Sequence, residues 1–181
     1  MKLNKIMLAA SVVMGLASFA HAEDPAPVTI PPDQGHGIVN FHGTVIDAPC
    51  SVNPDSDGQT VELGQISNVL LDNGGSSAPK TFQIQLENCS LSVAKGVTTT
   101  FTGAEGQKGK LGITGDVKGA GIVLTDGTGK AIELGKPTAA QQLAAGEKAA
   151  TLEFSAYLQG DGAAVNPGEF NSIANFMLSY Q

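Results

Sequence analysis

The sequence predicts an all-β domain, a two-layered sandwich of the immunoglobulin type. Three observations predict it. Short runs rich in β-branched and aromatic residues recur at 44–46, 60–63, 81–86, 97–102, 122–125, 152–158 and 173–180, each of strand length. Turn-forming intervals separate them, such as Asp72-Asn-Gly-Gly-Ser-Ser77 and residues 103–119, and a total of 23 glycines fits many turns. The third is the pair Cys50 and Cys89, the only cysteines in the chain.

The pair reads as a disulfide because the chain carries an export leader. Met1-Lys-Leu-Asn-Lys5 is basic, residues 6–20 are uncharged, and Ala20-His21-Ala22 has the A-x-A form of a cleavage site. The apolar run is too short to span a bilayer comfortably. Residues 1–22 are therefore expected to be removed, leaving 159 of the 181 residues, enough for one domain with its own core. In an oxidising compartment two cysteines pair. Closing a loop of about 40 residues stabilises by roughly 4 kcal/mol in the chain-entropy model.

The formal charge is −7, or −9 once Lys2 and Lys5 are gone, and there is no arginine. Scattered lysines on an acidic chain exclude a clustered phosphate-binding face, so no nucleic-acid partner is expected. Residues 23–34 hold four prolines in twelve positions, which rules out helix and favours an extended tail. The stretch 138–145, bounded by Pro137 and Gly146, has helical propensity but only Leu143 as a large anchor. It is expected to be loop or a single helical turn.

Both ends of the mature chain alternate. Near the start, Val39, Phe41, Gly43 and Val45 share one parity. At the end, Phe170, Ala174, Phe176, Leu178 and Tyr180 do the same, after Gly168. Successive strand side chains point to opposite faces, so each set lies on one face. The immunoglobulin pattern is incomplete: there is no tryptophan to pack on a disulfide, the cysteine separation is short for a bridge between sheets, and only Gln181 follows the last strand.

Enzymatic chemistry finds little support. A copper/zinc superoxide dismutase needs several imidazole ligands, and the mature chain offers His36 and His42 alone. Nucleophile-elbow and zinc-helix motifs are absent. Asp55, Asp57, Asp126 and Asp161 lie in Gly-rich stretches and read as turn residues. No catalytic residue, metal or cofactor is expected.

Four motifs carry a family resemblance. They are Gly43-Thr-Val-Ile-Asp-Ala-Pro-Cys50, Phe82-Gln-Ile-Gln-Leu-Glu-Asn-Cys89, Phe154-Ser-Ala-Tyr-Leu158, and the C-terminal alternation with Gly168 fourteenth from the end and Tyr180 penultimate. In this order the chain resembles the structural subunits of chaperone–usher fimbriae, closest to P-type and type 1 major pilins, over the whole mature chain. The resemblance implies an incomplete immunoglobulin-like sandwich lacking its final strand. It implies a donor extension within residues 23–47, with Val39, Phe41, Gly43 and Val45 at its contact positions, and a pilin domain over 48–181. The acceptor groove would use Gly168, Phe170, Ala174, Phe176, Leu178 and Tyr180. The implied partners are identical or related pilins, a periplasmic chaperone and an outer-membrane usher. The implied location is a cell-surface fimbria, the implied role its major shaft subunit. A minor adaptor or terminator pilin shares the same domain; a tip adhesin would need a second domain for which there is no room.

Overall fold

The structure, a computed structural model, describes residues 32, 34–92 and 95–181. The expected leader and most of the Pro-rich tail lie outside the described residues. The chain divides into two compact units, Met1–Thr44 and Val45–Gln181. In the first, residues 34–44 form neither strand nor helix.

The second unit is a β-sandwich. In chain order its elements are β1 (Ser51–Val52), α1 (Asn68–Leu71), β2 (Lys80–Glu87), β3 (Lys95–Gly103), β4 (Thr114–Gly115), β5 (Ala120–Asp126), β6 (Gln141–Leu143), β7 (Ala150–Gly160), β8 (Phe170–Asn171) and β9 (Ala174–Tyr180). One sheet runs β1-β2-β7-β5 and the other β6-β3-β9, with β4 and β8 forming a separate two-stranded ribbon. All pairings are antiparallel.

The period of two in the sequence sets which residues fill the space between the sheets. β2 contributes Ile84 and Leu86, β7 contributes Leu152, Phe154, Ala156 and Leu158, and β3 contributes Val97 and Phe101, all buried. Cross-strand partners Phe82 and Phe154 stack with ring centroids 5.6 Å apart. Phe101 meets Phe154 edge-on at 5.0 Å from the facing sheet, the offset geometry that ring quadrupoles favour.

Cys50 and Cys89 form the disulfide, with Cα atoms 4.1 Å apart and both residues buried. The bridge lies where β1 begins and β2 ends, and Ser51 pairs with Glu87 beside it. It therefore staples two neighbouring strands of one sheet, in keeping with the short cysteine separation.

Four features differ from the sequence reading. The stretch 138–145 is not helical, because Gln141–Leu143 pairs along β3 as β6 and buries Leu143. Residues 44–46 and 60–63 form no strand, since neither finds a partner among the described residues. The helix α1 has no counterpart in the sequence reading; it is one turn that drops Leu71 into the core. Asp161 is more than a turn residue: it forms an ion pair with the buried Lys110, whose Nζ also donates to the carbonyl oxygens of Gln159 and Gly160. A buried ammonium needs such partners. Asp126 does act as a turn residue, its Oδ1 accepting from the backbone of Thr128 and Lys130 and from the Thr128 hydroxyl. Those bonds, led by the hydroxyl, lower its pKa.

Candidate functional site: an open sheet edge

β9 is paired on one side only. Its register with β3 runs from Val97 opposite Tyr180 to Gly103 opposite Ala174, and the Gly96 and Gln181 backbones close the ladder with bonds of 3.1 and 2.8 Å. On its other side β9 has no partner strand among the described residues. A seven-residue edge with free N–H and C=O groups is a template for another strand.

The side chains along this edge are apolar and only half covered. Phe176, Leu178 and Tyr180 alternate with exposed neighbours and pack against the core. Phe176 lies 6.4 Å from Phe101, centroid to centroid, which ties the open edge to the central aromatic cluster. Partial burial in apolar surroundings raises the pKa of the Tyr180 phenol.

A second stretch is also without partners. Residues 60–66 make no backbone–backbone hydrogen bond with the described residues, although Leu63 and Ile66 are half buried against the same core. The Gln59 side chain anchors the start of this stretch by donating to the Ser56 and Gln83 carbonyls at 3.1 and 3.0 Å. In sequence, Val61 and Leu63 read as part of an ordinary strand; their alternation is the signal, and the missing partner is the structural fact.

The remaining expected residues fall elsewhere. Phe170 packs against the core from β8. Gly168 precedes it, where a Cβ would lie 2.5 Å from that of Asp116, so this glycine allows close approach of the β4 and β8 segments. Ala174 begins β9 and is exposed.

In the N-terminal stretch, Val39, Phe41 and Val45 are all exposed, Phe41 by 93%. Gly43 has no positive φ, and a Cβ built on it meets nothing within 4 Å. Among the described residues nothing requires glycine there. No cluster of three or more potential metal ligands occurs among the described residues.

Comparison with known proteins gives a consistent result. A family model described as fimbrial protein matches residues 39–181. The chain is 52% identical to the Fimbria A protein of Serratia marcescens and 49% identical to the Major MR/P fimbria protein of Proteus mirabilis, with the whole of each chain covered in both cases. Among solved structures, a chaperone–usher pilus studied for the basis of rod uncoiling matches with a TM-score of 0.66 and 35% identity, over 84% of this chain and 99% of the other.

Proposed function

This chain belongs to the fimbrial protein family, and from that premise we propose that it joins its neighbours by donor-strand exchange. It is a structural subunit of the fimbrial shaft at the cell surface, not an enzyme, and it assembles with other pilin subunits. Its domain is an incomplete immunoglobulin-like sandwich. The observation that carries the proposal is the unpaired edge of β9 with Phe176, Leu178 and Tyr180 half exposed along it.

In this reading residues 23–47 are an extension that serves the next subunit, and 48–181 are the pilin domain. Residues 35–47 of one copy pair with β9 of another. This is β-strand addition, a mode already known from the donor strands of chaperone–pilin complexes. Val39, Phe41 and Val45 enter the groove; burying them contributes about 5–9 kcal/mol at ~1.5–3 kcal/mol each. An antiparallel register sets Val39 against Tyr180, Phe41 against Leu178, Gly43 against Phe176 and Val45 against Ala174. Large then meets small at the last two positions, the pattern that fills space without strain. It also accounts for a glycine that its own chain does not need.

An open apolar edge aggregates unless covered. Before assembly a periplasmic chaperone covers it by lending a strand. At an outer-membrane usher the neighbour's extension takes its place, after export directed by the leader. Deleting residues 35–47 tests the proposal. The truncated subunit should accumulate as a soluble chaperone complex and make no fibres; fibres of ordinary abundance would overturn it.

A further inference from the structure

Lys110 is the one buried charged side chain among the described residues. Donor-strand pairing, on which this inference rests, does not by itself account for it. Its ammonium reaches Asp161 and the carbonyl oxygens of Gln159 and Gly160, at 2.5, 3.3 and 2.9 Å. The stem lies against Gly121, where an added Cβ would sit 3.0 Å from the Lys110 Cβ. Such a pair seldom adds stability over apolar side chains of similar volume. What it fixes is position, because the ammonium must stay where its acceptors are.

That position leads to the open edge. Leu111, next in the chain, is buried and exchanges both backbone bonds with Ile122 on β5, at 2.8 and 2.9 Å. Its side chain lies over Gly103, where no room is left for a Cβ between Leu111 and the Ile173 carbonyl. Gly112 donates to the Ala104 carbonyl at 2.7 Å, and its own carbonyl accepts from the Ser172 hydroxyl at 2.6 Å. Gly103 pairs with Ala174 on the last rung between β3 and β9. Three consecutive residues thus connect the ion pair at the end of β7 to the entry of β9. Residues 172 and 173 belong to no strand, and Ile173 and Ala174 are exposed, so little else holds this entry. In the register proposed above, Val45 of the neighbour is seated opposite Ala174.

We propose that Lys110 and Asp161 are positioning residues for strand exchange. Through Gly112 and Ser172 they hold the entry of β9 where the last contact residue of the incoming strand, Val45, must seat. They act on this end of the groove alone. The other end, at Tyr180, is tied separately by its pairing with Val97 and by the bonds between the Gly96 and Gln181 backbones.

The test times the release of a labelled donor peptide. Chaperone-bound subunit is mixed with a synthetic peptide of residues 35–47, or with a shorter one of residues 35–43 that stops before Val45. Bound peptide is then chased with excess unlabelled peptide. Lys110→Met with Asp161→Leu removes both charges together, so neither is left unpaired in the core. Ser172→Ala removes only the hydroxyl. Each variant should release the 35–47 peptide about three- to tenfold faster than the parent, the equivalent of one hydrogen bond's net contribution. Each should release the 35–43 peptide at the parent's rate. Combining all three changes should add nothing further, since they lie on one path. Parental release of the 35–47 peptide would overturn the proposal. Faster release of both peptides would overturn it too, by reducing the pair to general stability. Loss of the charge-free variant's chaperone complex would overturn it by assigning the pair to folding; Ser172→Ala, at a half-buried hydroxyl, still reports whether the entry of β9 controls release. Failure of the donor-strand reading shows separately: neither peptide then displaces the chaperone from the parent.

Discussion

Phe101 and Phe176 are cross-strand partners on β3 and β9, with ring centroids 6.4 Å apart, and only the first is buried. The pair joins the closed core to the open edge. Truncating each ring should separate the two roles. Phe101→Ala should destabilise the domain by about 3–5 kcal/mol and abolish accumulation of the subunit. Phe176→Ala deletes less buried area from the subunit itself and should act mainly on the joint, lowering the denaturant concentration at which purified fibres dissociate. Equal effects of both on subunit yield would contradict this division.

Leu178 lies between the two aromatics of the open strip. In the proposed joint Leu178→Asp places a carboxylate under the neighbour's strand, and an unpaired charge resists burial. The expected result is loss of the chaperone complex and proteolysis of the subunit, read by co-purification and immunoblot.

Gly43 should matter only between subunits. Gly43→Asn should leave subunit yield and chaperone binding unchanged, because a Cβ there meets none of the described residues within 4 Å. In the proposed register the new side chain meets Phe176 of the neighbour. Overpacking costs about 1–3 kcal/mol at equilibrium, and the cost falls within a strand that must zip in stepwise. Monomeric chaperone complexes without fibres are expected. Fibres of ordinary length would refute the register.

The Cys50–Cys89 bridge ties β1 to β2. Cys50→Ser or Cys89→Ser should cost roughly 2–5 kcal/mol and abolish accumulation. Thiol titration of the native parent should find no free thiol.

Tyr180 gives a pH dependence of known sign. Burial raises its pKa in the folded chain, so the unfolded chain ionises first as pH rises. Stability is then unaffected by this group below about pH 10 and falls above it, as the unfolded state loses its proton while the folded state keeps it. Denaturant midpoints of fibres measured at increasing alkaline pH should show this decline, and Tyr180→Phe should reduce it.

Local pattern is enough to locate the five long strands and the inward face of β9, but not the faces of β3 and β5, which bury residues of both parities. Alternation of Ile84 with Leu86, of Leu152 with Phe154, and of Phe176 with Leu178 states which side is buried, since a strand's period of two is a local property. The disulfide is legible too, since two exported cysteines have no other partner. So are the two alternating ends, although not what faces them. Pairing partners, in contrast, come from tertiary packing. Residues 141–143 form a strand because β3 presents an edge to them, overriding a weak helical preference. Residues 60–63, with a strand-like alternation of their own, stay unpaired because no strand lies beside them among the described residues. Lys110 is buried because Asp161 and two carbonyls, about 50 residues away, converge on its ammonium. Whether an edge is closed or open depends on what distant segments bring alongside it, and that is set by the packing of the whole chain.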